Sequence, residues 1–154
     1  MKGAGSFRVG VRFRFSFGHR LYNSHAGKYR NIHGHNAKVE VVVEGNLQPS
    51  SGMVFDFGRL DGIARDIANV YDHCLILNEK DIELRQALRK RGLKLYIFEG
   101  EPTAENLAID IGRRFLKALV PFGVRPVLVR FYEDDDSWAE ADYNAIIADS
   151  SDKE

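Results

Sequence analysis

The chain has 154 residues, 44% of them hydrophobic, which suits one globular domain with a substantial core. Its 22 Lys and Arg balance 22 Asp and Glu, so no bulk electrostatic pull toward nucleic acid or a membrane surface is expected. The single cysteine, Cys74, excludes an intrachain disulfide, no apolar run approaches the roughly 20 residues of a membrane span, and the N-terminus lacks the apolar core of a signal peptide, so a soluble, cytoplasmic domain spanning 1–154 is expected.

Phe7, Val9, Val11, Phe13 and Phe15 alternate with Arg8, Gly10, Arg12, Arg14 and Ser16, a period of two that predicts a half-buried strand. The loop that follows is long. It holds Arg20, Lys28 and Arg30 without an acid, which suits either a solvated basic loop or a phosphate-bearing substrate. His25, beside Tyr22, Asn23 and Ser24, reads as a surface histidine.

A second strand is predicted from about His33 to Glu44. Ala37, Val39, Val41 and Val43 share one face, Lys38, Glu40 and Glu44 take the other, and Val42 breaks the pattern. "GNLQPSSGMV" is turn-rich. Asp56 then caps a helix carrying Leu60, Ile63, Ala64, Ile67 and Tyr71 at helical spacing. "DIELRQALRKRG" predicts a second, short helix closed by Gly92, and "LKLYIF" a short strand.

Thr103 is a good N-cap for a helix with Leu107, Ile111, Phe115 and Leu119 on one side. In "PVLVRFYE" Val127, Val129 and Phe131 share a face and Glu133 follows in the same parity; "AEADY" belongs to a last strand. Antiparallel strands with helices segregated from them make an α+β domain. The acidic "EDDDSWAEAD" and the tail after Ile147 read as surface or frayed chain.

His33 and His35 carry the parity of the buried face and stand about 6.6 Å apart along their strand, close enough to share one ion. If the first two strands pair antiparallel, His19, just beyond the end of the first, lies beside them as a third ligand. Three imidazoles with a fourth position open is a catalytic rather than a structural zinc pattern. The competing reading is three strand-end histidines bonded to loop backbone.

Asp72 and His73 follow a helix. An acid does not easily turn back on its own neighbour's ring, yet the two can serve one pocket as a proton relay; otherwise His73 meets the free carbonyls of a helix end. Thr103 and Glu105 fit ordinary capping. Glu133 either faces water or a lysine, or binds a ligand that offers two N–H donors in a row. Cys74 is most simply a small buried hydrophobe.

Taken in order, "FSFGHRL", "HGHNAKVEVVVEG", "GMVFDFGRL", "YDHCLILNE", "PTAENLA" and "VRFYE" resemble the blocks of the 6-pyruvoyl-tetrahydropterin synthase and queuosine-pathway 6-carboxy-tetrahydropterin synthase family, over roughly residues 7–143. The resemblance implies a tunnelling fold, an antiparallel four-stranded sheet backed by two main helices. It also implies assembly into trimers and hexamers with active sites between subunits. By position it implies Zn2+ on His19, His33 and His35, a proton-transfer pair in Asp72 and His73, and a pterin held by Glu133 with Thr103 and Glu105. The implied substrate is 7,8-dihydroneopterin triphosphate and the implied product a 6-pyruvoyl- or 6-carboxy-tetrahydropterin.

The chain departs from the family at one place. Tyr29 stands where the carboxy-forming members carry a cysteine, and neither Cys nor Glu occurs between His19 and His33. A side-chain-cleaving variant that releases 6-hydroxymethyl-dihydropterin, or a non-catalytic pterin- or purine-binding homologue, therefore stands as the alternative.

Overall fold

The computed structural model describes residues 6–24 and 27–148, so His25 lies outside the described residues. In chain order the elements are β1 (Phe7–His19), α1 (Gly27–Arg30), β2 (His33–Gly45), α2 (Phe57–Tyr71), β3 (Cys74–Asn78), α3 (Ile82–Arg89), β4 (Leu95–Phe98), α4 (Ala104–Leu119), β5 (Arg125–Tyr132), β6 (Trp138–Asp142) and α5 (Tyr143–Ile147). A 3-10 turn at Val120–Phe122 joins α4 to β5.

β1 and β2 pair antiparallel without interruption, from Phe7 opposite Gly45 to His19 opposite His33. The alternation in both sequences dictates what each face meets. Phe15 and Phe17 of β1 and Ala37, Val39, Val41 and Val43 of β2 are buried on one side. On the other, Arg8 pairs with Glu44 and Arg12 with Glu40, each at 3.0 Å. Surface ion pairs of this kind are screened by solvent and contribute little, whereas burying one Val or Phe contributes roughly 1.5–3 kcal/mol, so the apolar face holds the register. β1 also runs on through His19 itself, which places that imidazole on the sheet rather than in the loop beyond it.

β5 pairs antiparallel with β2, and β6 with β5. These four strands are the expected antiparallel sheet. The complete sheet differs from expectation: it has six strands in the order β4-β3-β1-β2-β5-β6 and is mixed, because β3 runs parallel to the last three residues of β1 and β4 parallel to β3. β3 is the apolar run "CLILN" that directly follows α2, and parallel pairing is how that run satisfies its backbone while buried. Among the described residues the outer edge of β1 from Phe7 to Ser16 has no strand partner.

α2 and α4 supply the apolar stripes that cover the inner face of the sheet. Asp56 accepts from the Arg59 backbone N–H at 2.9 Å and Thr103 from that of Asn106 at 3.3 Å, so both predicted caps start their helices. Leu60, Ala64 and Tyr71 of α2 and Leu107, Ile111, Phe115 and Leu119 of α4 are buried completely against the sheet. The Tyr71 hydroxyl, drawn into this core, donates to Asp110 at 2.5 Å. Arg114 and Tyr96 complete the network, which ties α2, α4 and β4 together. No helix among the described residues is long and apolar enough to cross a membrane.

Candidate metal centre and active site

Directly opposed residues of an antiparallel pair share a face. Since His19 opposes His33 and Phe17 opposes His35, the β1–β2 register brings all three imidazoles to one end of the buried face. Ring centroids lie 4.6 Å apart for His19 and His33, 5.2 Å for His19 and His35, and 5.1 Å for His33 and His35. One nitrogen from each ring falls within 4.8 Å of the others. Phe17 packs against His19 and His35 and forms the apolar floor beneath them.

Backbone carbonyls orient two of the rings. His19 Nδ1 lies 2.8 Å from the Pro102 oxygen and His33 Nδ1 2.8 Å from that of Asn31. Donation from Nδ1–H leaves Nε2 as the lone-pair nitrogen, the tautomer a metal ligand needs. The Nε2 atoms of His19 and His35 are buried and have no hydrogen-bond partner among the described residues. Each such orphan costs about 1–3 kcal/mol, a cost that an ion between the rings removes. Burial lowers the His19 pKa to about 4, against the opposing effect of the Pro102 carbonyl, so the ring is neutral at pH 7. Three convergent imidazoles, two of them oriented by backbone carbonyls, fit a divalent metal ion.

Glu133, the residue after β5, closes one side of this cluster. Its Oε1 lies 3.7 Å from His19 Nε2 and its Oε2 3.8 Å from His35 Nε2. Burial raises its pKa; His35 and His33 oppose that rise, while Asp134 and Glu105 add to it. Thr103 is the N-cap of α4 and Glu105 lies in its first turn, directly after the Pro102 carbonyl that holds His19. Glu101 anchors this corner, accepting from Asn78 Nδ2 at 2.7 Å and from the Asn23 backbone N–H at 3.1 Å. Sequence reasoning missed Glu101 and both orienting carbonyls. A carbonyl carries no sequence signal; the acid wedged between Gly100 and Pro102 was the one available clue.

Asp72 and His73 form a direct pair, contrary to the expectation that the acid does not easily reach its neighbour's ring. His73 has φ +51°, in the left-handed region, and that turn brings its Nδ1 to 2.9 Å from Asp72 Oδ2. The other Asp72 oxygen accepts from the Ser16 backbone N–H at 3.0 Å. This bond first, and His73 second, hold the Asp72 carboxyl below its ordinary range. The His73 side chain is 82% exposed, and nothing among the described residues joins it to the three histidines of the same chain.

Of the basic loop residues, Arg20 is committed to the fold: its guanidinium binds the buried Asp81 through two nitrogens, at 2.5 and 2.7 Å. Tyr29 is 41% exposed and its ring lies 6.4 Å from that of His33, with Lys28 Nζ 4.8 Å from its face. Cys74 is buried in the core, and burial raises its thiol pKa. A cleft of about 620 Å³ beside β4 and α4 is lined by Asn78, Tyr96, Glu101 and Arg113 and excludes the three histidines.

The family model for 6-pyruvoyl tetrahydropterin synthase matches residues 8–144 of the chain. A 6-carboxy-5,6,7,8-tetrahydropterin synthase of Rickettsia conorii is 33% identical over 132 residues, covering 84% of this chain and 95% of the relative. A protein of the same name from Haemophilus influenzae is 33% identical over 115 residues, covering 70% of this chain and 81% of the relative. Among solved structures, the Caenorhabditis elegans 6-pyruvoyl tetrahydropterin synthase superposes with a TM-score of 0.66 at 24% identity, covering 92% of this chain and 99% of that one. An uncharacterised protein of Wolinella succinogenes gives 0.75 at 23%, covering 90% and 98%. At those identities the structural likeness establishes the shared tunnelling fold.

Proposed function

Since the chain belongs to the 6-pyruvoyl tetrahydropterin synthase family, we propose that it is a zinc-dependent lyase that converts 7,8-dihydroneopterin triphosphate to a 6-carboxy- or 6-pyruvoyl-tetrahydropterin. The observation that carries this reading is the convergence of His19, His33 and His35, with two buried, unpartnered Nε2 atoms beside Glu133. The curated relatives, named for the carboxy product, favour that product; the queuosine branch is what the resemblance adds to it.

Zinc held by the three imidazoles would polarise the hydroxyls of the substrate's side chain. Glu133 accepts the paired N–H donors of the pterin's pyrimidine edge, a bidentate arrangement that fixes the ring in orientation. Thr103 and Glu105, at the adjoining helix start, steady the same ring. His73 moves protons at the side-chain carbons through Nε2, with Asp72 accepting from Nδ1–H and so holding the ring's tautomer.

Since no contact among the described residues joins His73 to the three histidines of its own chain, the Asp72–His73 pair of one copy is assigned to the metal centre of another. The active protein is then a homo-oligomer, a trimer or hexamer with sites between subunits. The unpaired edge of β1 and the edge strand β6 support such contacts, since open strand edges seek partners. A cytoplasmic location suits this role.

Tyr29, standing in place of a cysteine, favours a second reading, in which the side chain is cleaved and 6-hydroxymethyl-dihydropterin is released. Incubation of the zinc-loaded protein with 7,8-dihydroneopterin triphosphate, followed by product mass analysis, decides. A carboxy- or pyruvoyl-tetrahydropterin supports the first reading and hydroxymethyl-dihydropterin the second. Tight binding without turnover refutes both and leaves a binding protein.

A further inference from the structure

The placement of Glu133 is not explained by pterin binding alone. A carboxylate meant only for a ligand's N–H edge has no need to lean on the metal-facing nitrogens of two histidines. Yet each Glu133 oxygen approaches one of them, Oε1 toward His19 Nε2 and Oε2 toward His35 Nε2, at 3.7 and 3.8 Å. These distances exceed the roughly 2.7–3.2 Å of an N–H···O hydrogen bond. They come close to the spacing of two ligands on one tetrahedral zinc, which bonds of about 2.0–2.2 Å set at roughly 3.3–3.5 Å. Both nitrogens are buried and unpartnered, and the carboxylate stands on their side of the cluster. The gap suits an atom between the oxygen and the nitrogens.

We infer that Glu133 is a fourth ligand of the metal in the substrate-free protein, and that it leaves the metal to accept the N–H donors of an incoming pterin. The assignment rests on the zinc reading above. The exchange breaks one metal–carboxylate bond and forms two N–H···O bonds; no proton or electron changes hands. With both oxygens turned to the ring's N–H donors the carboxylate is drawn off the metal, and binding of the ring opens the metal to the side chain that follows it. An empty site stays four-coordinate and closed, and the metal becomes available only when the ring is in place.

The test uses the full-length protein loaded with Co2+, whose visible bands report ligand number and type, together with zinc affinity by competition with a chromophoric chelator. Glu133→Gln is nearly isosteric at a residue whose side chain is 25% exposed, and Glu133→Ala provides a second variant. Both should shift the cobalt bands and weaken zinc binding roughly tenfold or more. Unsubstituted pterin, which lacks side-chain hydroxyls, should move the wild-type bands toward those of E133Q. Unchanged bands and affinity in both variants, with metal lost in His35→Ala, would overturn the assignment while leaving the histidine site standing. Wild-type bands that ignore saturating pterin would overturn the exchange. A wild-type protein that binds neither ion would overturn both this assignment and the zinc reading beneath it.

Discussion

His73 is the one non-glycine residue with positive φ among the described residues, at +51°, and two substitutions there separate backbone strain from chemistry. The left-handed region costs an L-residue about 1–2 kcal/mol, which alanine bears and glycine does not. Glycine gives back about 0.5–1 kcal/mol through its greater freedom in the unfolded chain. Both variants lose the same exposed contact to Asp72, so that contribution cancels between them. His73→Gly should therefore be more stable than His73→Ala by about 0.5–1 kcal/mol. In urea unfolding this is a midpoint difference of a few tenths molar at slopes of about 1–3 kcal/mol/M. In the turnover assay both should lose about 10²–10⁴-fold, the usual share of a positioned acid or base. Alanine as stable as glycine would refute the strain argument. Alanine with near-wild-type turnover would refute the role given to His73. The expected pattern, a site residue whose replacement by glycine relieves strain while abolishing activity, is one in which local strain serves function.

Three further outcomes follow from other parts of the molecule. In the metal-free protein, His19 has its folded pKa lowered from 6.5 to about 4, so it is neutral in both states well above pH 6.5, and as pH falls the unfolded chain takes up its proton first. Stability should then fall by about 2–3 kcal/mol between pH 7 and 4.5, and His19→Gln should flatten that slope in urea titrations; Glu133, whose pKa is raised, works in the opposite sense at the acid end. Gly112→Ala should cost about 1–2 kcal/mol in thermal unfolding, because an added Cβ meets Ile146 Cγ1 at 2.6 Å and Cδ1 at 2.7 Å where α5 packs on α4. Arg20→Ala strands the buried Asp81 carboxylate and should cost roughly 3 kcal/mol, with Arg20→Lys recovering only part because the two-nitrogen geometry is lost.

What could be read in the sequence was local and periodic. Alternation from Phe7 to Phe15 and from Ala37 to Val43 makes β1 and β2 visible, and the parity of His33 and His35 with that row assigns them to the buried face. Antiparallel pairing then sufficed to bring His19 to them. The same reasoning failed at β3, because a short apolar run after a helix does not distinguish a buried parallel strand from the helix's own tail. Its pairing with β1 joins residues more than fifty positions apart, which no local pattern reports. The Asp72–His73 bond was hidden for another reason: it requires a backbone turn that histidine adopts only under constraint, and the constraint is the Ser16 strand edge. Glu133 was legible as an inward acid, but its lean toward His19 and His35 depends on how the chain turns after β5.

The metal content of the purified protein, measured beside His33→Ala, tests the central claim most directly. About one zinc per chain is expected in the wild type and almost none in the variant, with the fold of both intact by circular dichroism. A wild-type protein that holds no metal even after incubation with zinc would contradict it, and the three imidazoles would then be a buried cluster without a catalytic ion.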